Sequence, residues 1–217
     1  MNQKLGPFLG IVFFGLLLAG VLTGGSSPSA SASGAKVLAF YTSHQTRIEI
    51  GGLLVVLSVV VGVIFFGMLR DYLRRSEASR GLTATAFGGV IIFALSGVLG
   101  SGTDWALTDS PKHLTPAAAQ GLNLFNMDGT YAVSAAGAAI LLIAYGMAIL
   151  KSGLLPAWLG WVAMPLALCN LIPPIGIVGF IGTGLWVPAV SIALWLRLRA
   201  EGAPQATTPS ELASAAG

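Results

Sequence analysis

Ile50-Gly-Gly-Leu-Leu-Val-Val-Leu-Ser-Val-Val-Val-Gly-Val-Ile-Phe-Phe-Gly-Met-Leu69 runs for twenty residues without a formal charge. At a helical rise of about 1.5 Å per residue it covers roughly 30 Å, the thickness of a bilayer's hydrocarbon core. A soluble helix seldom stays apolar on every face for that length. The run therefore reads as a membrane-spanning helix, with lipid as the solvent for most of the chain.

Composition points the same way. Hydrophobic residues make up 55% of the 217 and charged residues 9%, against about 25% charged in ordinary soluble domains. Glycine is abundant, at 29 residues, as expected where transmembrane helices approach closely. The single cysteine, Cys169, leaves no intramolecular disulfide to form.

Hydropathy divides the chain into six expected spans at about 7–24, 48–69, 83–102, 131–150, 156–173 and 176–196. The expected fold is all-α: a polytopic membrane helix bundle with six transmembrane helices, one domain over 1–200, followed by a disordered cytoplasmic tail at 201–217. With the amino terminus inside, Lys4, Arg70, Arg74, Arg75, Arg80, Lys151, Arg197 and Arg199 face the cytoplasm. Only Lys36, Arg47 and Lys112 face out. This positive-inside bias puts both termini in the cytoplasm and the protein in the cell membrane as a multi-pass chain.

The first span has a second reading. Lys4, the apolar core Phe8 to Leu22 and the small residues Ala30-Ser31-Ala32 also fit a cleavable signal peptide. An uncleaved helix is preferred because the apolar core is long and Gly20-Val-Leu-Thr-Gly24 has the spacing used in helix packing.

The loops carry most of the chemistry. Arg70 to Arg80 continues the second span into water, and its basic residues read as a topology anchor at the headgroups. Tyr41-Thr-Ser-His-Gln-Thr-Arg-Ile-Glu49 and Asp104 to His113 lie on the outer side. Just after the latter stretch Thr115-Pro116 looks like an N-cap and a first-turn proline, and Ala118, Leu122 and Phe125 predict a short amphipathic helix on the outer leaflet, ending near Asn126 to Gly129. His44 and His113 stand alone in their loops without metal-ligand spacing, so no metal and no cofactor is expected.

Glu49 and Asp128 sit near expected helix starts, where a carboxylate caps free amides and meets the positive end of the helix dipole. Alternatively Glu49, Asp104 and Asp128 face an outward cavity as acid or base, with Arg47 able to pair with one of them. Inside the bilayer the polar residues read are Ser58, Ser96, Ser134, Tyr145, Asn170 and Thr183, without an Asp, Glu, Lys, Arg or His at depth. That argues against an ion-driven carrier. Asn170 is the strongest polar candidate for a ligand contact, with interhelical glue as its ordinary role. Pro165 and Pro188 fall inside the last two spans, where a proline frees a carbonyl and lets a bundle open a cleft. Trp186, beside the second, is a candidate pocket wall or core residue. Trp158, Trp161 and Trp195 fit an inner interfacial belt.

The run Leu154-Leu-Pro-Ala-Trp-Leu-Gly-Trp161, the small-residue fifth span and Leu185-Trp-Val-Pro-Ala-Val-Ser-Ile-Ala-Leu194 resemble a family of small bacterial six-pass integral membrane proteins, a domain of unknown function. Phe40-Tyr41 to His44 and Met68-Leu-Arg-Asp-Tyr-Leu-Arg74 are similar to the same group. The resemblance implies the six-helix fold and a bacterial inner membrane, and brings no activity or catalytic residues with it.

Phosphate loops, paired metal motifs, nucleophile elbows and CxxC are all missing, as is any basic and aromatic surface for nucleic acid. Two classes remain. The first is a non-enzymatic membrane protein that binds or passes a small apolar molecule or supports a membrane complex. The second is a membrane-embedded isomerase or cyclase acting on a lipophilic substrate with the outer carboxylates as acid and base. The partners expected are the lipid bilayer and a small lipophilic ligand.

Overall fold

The computed structural model of the protein describes residues 6–109 and 113–201. They form eight α-helices: α1 (Leu9–Gly24), α2 (Gly34–Ser43), α3 (Gln45–Leu73), α4 (Arg80–Asp109), α5 (Pro116–Leu124), α6 (Thr130–Ser152), α7 (Ala157–Leu171) and α8 (Gly176–Glu201). Five helical stretches are long and apolar enough to cross a membrane: Gly6–Gly24, Gln45–Leu73, Glu77–Asp109, Pro116–Ser152 and Pro173–Glu201. The sixth, α7, has 15 residues, about 22 Å of helix, and falls short of a full bilayer core. The expected 201–217 tail lies outside the described residues apart from Glu201.

The six long-axis helices close into a ring. Neighbours run α1, α3, α4, α6, α7, α8 and back to α1. Glycine sets the tightest pairings, since it lets backbones touch. Gly20 and Gly24 of α1 lie against Gly51 of α3, where a Cβ on Gly51 would stand 2.7 Å from the Gly24 nitrogen. The spacing read from Gly20 and Gly24 is thus an observed packing face. Gly146 of α6 meets Gly160 of α7 in the same manner. The turn between these two helices uses Gly153 at φ 64°, a left-handed C-cap that glycine adopts without a Cβ penalty.

One end of the ring is basic. There Tyr72 Oη donates to Glu201 Oε1 at 3.0 Å and Arg75 pairs with Glu201 Oε2 at 3.0 Å, tying the end of α3 to the end of α8. Trp158 and Trp161 are exposed at the start of α7, and Trp195 lies beneath Arg199, its ring centroid 4.3 Å from the guanidinium carbon.

The opposite end carries a cap of two short helices. Here α2 packs on α5 around Val37, Tyr41, Ile48, Leu107 and Ala119, a small apolar cluster separate from the main core. Thr115 caps α5 as read from the sequence, its Oγ1 accepting from the Ala118 amide at 3.3 Å. The buried face differs from the one the periodicity predicts. Ala118 and Phe125 are exposed, while Ala119 and Asn123 are buried against the cap. The helix does not stop before the next span either: it passes through a π-helical turn, Phe125–Gly129, directly into α6. Contact with α2 outweighed the apolar periodicity because the close approach of Gly34 to Pro116 selects which side of α5 faces in.

Candidate functional site

The ring encloses a partly open cleft of ≈ 310 Å³. Its walls come from α1 (Phe13, Leu17), α3 (Val59, Phe66), α4 (Val90, Phe93) and the start of α6, with Phe180 contributed by α8. No lining residue carries a charge. A volume at the small end of the usual ligand-pocket range, about 300–1,000 Å³, with apolar walls and few polar groups, suits a small lipophile. Among its hydroxyls, Ser58 donates to the Val55 carbonyl at 2.7 Å, Ser96 to the Phe93 carbonyl at 2.6 Å and Thr130 to the Asn126 carbonyl. These groups are satisfied by their own helices and add little polarity to the wall.

The cleft is not where the prolines pointed. Helices α7 and α8 run on through Pro165 and Pro188, and neither residue lines it. Trp186 lines no part of it either. Its Nε1 donates to the Leu159 carbonyl at 2.9 Å and the side chain is buried, so it serves as a brace between α8 and α7. The carbonyl it engages lies six residues before Pro165.

Above the cleft, at the cap end, three polar side chains from three elements meet. Tyr41 of α2 donates its hydroxyl to Asp104 Oδ1 of α4 at 2.8 Å, and Asn126 Nδ2 of the π-turn donates to the same oxygen at 2.7 Å. Tyr41 is 1% exposed. Burial first, and then the Asp104 carboxylate, push its phenol well above the ordinary value, so it stays a proton donor. Asp104 stands seven residues beyond the lining residue Gly97 on α4, the same helix face and roughly 10 Å further along the axis. The π-turn links the two levels, because Asn126 joins the polar cluster while Met127 and Thr130 line the cleft. Such turns often occur at functional sites.

The other acids stand apart. Glu49 Oε1 accepts from Gln45 Nε2 at 2.9 Å on its own helix, and its backbone carbonyl accepts from Trp105 Nε1 at 3.4 Å. Asp128 is exposed. Arg47 is exposed and lies along Gly25 in the link between α1 and α2. Of Arg47, Glu49, Asp104 and Asp128, Asp104 is the one whose side chain hydrogen-bonds to other elements among the described residues. His44 stacks on Phe40 and its Nδ1 is 2.9 Å from the Phe40 carbonyl oxygen, whereas His113 is exposed. Among the described residues no group of three or more metal-ligating side chains is assembled.

Asn170 is 3% exposed. Its Nδ2 donates to the Leu166 carbonyl at 2.8 Å and to Thr183 Oγ1 of α8 at 3.0 Å, and its carbonyl accepts from Tyr131 of α6 at 3.0 Å. It joins three helices and also lines a second cavity of ≈ 310 Å³ with Tyr131, Ser134 and Phe180. Asn126 and Phe180 were not legible as site residues. Asn126 is a polar residue just ahead of a span, a weak signal at best, and Phe180 is one of many apolar residues.

Comparison with family models, with curated proteins and with solved structures finds no match. The functional reading therefore rests on this geometry.

Proposed function

We propose that the protein is a six-span integral membrane protein of the bacterial inner membrane, both termini cytoplasmic, whose ring binds or passes a small apolar molecule without chemical conversion. The observation that carries this reading is the uncharged cleft enclosed by the ring. The scatter of Glu49, Asp104 and Asp128 supports it over the isomerase or cyclase reading, which needs an acid and a base at one reacting centre. The short α7 completes the sixth span by lying in the ring, supported by neighbours on both sides. Membership in the small bacterial six-pass family is part of the same proposal.

Native mass spectrometry and lipid analysis of the purified protein test the cleft. Ala94 lines it on α4, and Ala94→Leu is expected to fill it and remove a co-purifying lipophile while the protein stays folded. Protein that never carries any molecule beyond bulk lipid refutes binding. Orientation has its own test in a Cys169→Ala background. Lys36→Cys in α2 is expected to react with a membrane-impermeant maleimide on intact cells, and Ala78→Cys at the basic end only after permeabilisation. The reverse pattern overturns the topology.

A further inference from the structure

The central cleft and the second cavity share Tyr131, Ser134 and Phe180 in their walls. They differ in character. The first is almost wholly apolar, whereas the second is flanked by Asn170 and the Pro173 turn. Both are free of charged side chains. An ionised ligand would lose its hydration in either without gaining a counter-charge, so the occupant is neutral.

Two polar groups lining the second cavity, Ser134 on the shared wall and Asn170 beyond it, are not used up by the fold. Ser58, Ser96 and Thr130 bond back to their own helices, but Ser134 Oγ, also on a helix, has no hydrogen-bond partner among the described residues. Asn170 spends its Nδ2 on Leu166 and Thr183, and its side-chain oxygen accepts nothing among the described residues. An open acceptor and an unpaired hydroxyl on the wall of one cavity are together complementary to a group that both donates and accepts. A hydroxyl does both. An ether or ketone supplies no proton for the Asn170 oxygen.

Resting on the binding role proposed above, we propose that the two cavities form one site for a neutral, single-chain lipophile ending in a hydroxyl, its chain in the central cleft and its hydroxyl between Ser134 and Asn170. Phe180, which lines both cavities, stands with Ser134 at their junction.

The test uses the full-length protein in detergent with diazirine-tagged decan-1-ol, its methyl ether, the parent alkane and decanoate, binding being read by photocrosslinking yield. The alcohol is expected to bind about fivefold more tightly than the ether, the effect of one neutral hydrogen bond, and decanoate least. A diazirine at the chain end should label α1, α3 or α4. Ser134→Ala, which breaks no bond within the fold, should reduce the preference for alcohol over ether. Asn170→Asp serves as a second variant where it folds, and Ser134→Ala decides alone where it does not. If alcohol, ether and alkane bind equally, or Ser134→Ala leaves the preference unchanged, the hydroxyl assignment is wrong while lipophile binding stands. Tightest binding of decanoate overturns neutrality. If none of the four binds, the cleft reading itself fails.

Discussion

Leu at Gly89 or Gly137 is expected to abolish the folded ring, while Leu at Gly88, the adjacent position on α4, leaves it standing. A Cβ on Gly89 would lie 2.5 Å from the Leu141 nitrogen and 3.0 Å from the Gly137 oxygen, and one on Gly137 would meet the Phe93 nitrogen and stand 2.7 Å from the Phe93 Cα. These obstacles are backbone and cannot rotate away. Relief requires α4 and α6 to separate, and with them the contacts of Val90, Leu141 and Leu142 in the main core. Overpacking in a core typically costs about 1–3 kcal/mol, and a backbone clash on both partners falls at or above the top of that range. Gly88 faces out, with nothing within 4 Å of its Cβ position. Monodispersity and thermal midpoint of the three variants in one detergent check this. Equal loss at Gly88 and Gly89 would mean that the lipid-facing side of α4 is wrongly assigned.

The contrast between Gly88 and Gly89 shows what the sequence carries and what it hides. The length and lack of charge from Ile50 to Leu69 are local properties, so the helix and the basic residues Arg70 and Arg74 that mark its inner end are readable directly, although it stops at Leu73 and does not continue toward Arg80. Thr115-Pro116 was readable for the same reason, because a cap is made within one turn. Which of two neighbouring glycines touches another helix depends on a rotation that four helices fix together. The pairing of Tyr41 with Asp104 spans 63 residues, and neither residue type announces a partner at that distance. Arg47 and Glu49, at the mouth of the longest apolar run, drew attention because they adjoin it in sequence. The polar cluster formed one helix further on, where the α4 end, α2 and the π-turn converge. The π-turn itself was not foreseeable from periodicity, since α5 and α6 each keep an ordinary helical pattern. Its extra residue per turn shows only in the structure, in the way it carries Asn126 and Met127 to different levels.

The second large effect is expected at Asp104. Asp104→Ala removes the acceptor shared by Tyr41 and Asn126 and leaves the hydroxyl of Tyr41, 1% exposed under the cap, without that partner. An orphaned buried donor costs about 1–3 kcal/mol, and a hydrogen bond to a charged group contributes at the upper part of that range. With two donors released, loss of about 3 kcal/mol of local stability is expected, read as a rise of roughly a hundredfold in amide exchange over Gly34–Ser43 while α6 and α7 stay protected. Tyr41→Phe should cost less, because it removes a donor and leaves Asn126 in place. The double variant should show a coupling on the order of 1 kcal/mol or more, the signature of groups that act on one another. Charge has a separate test in pH. The folded-state value of Tyr41 is raised, so the stability it contributes is complete below the ordinary phenol value of about 10 and is lost as pH rises beyond it. Tyr41→Phe should therefore flatten the alkaline fall in cap protection. If Asp104→Ala leaves α2 as protected as before, the three side chains are neighbours without being a latch. If α2 opens, the same change acts on the cleft below, because Asn126 and the lining residue Met127 are consecutive on one turn.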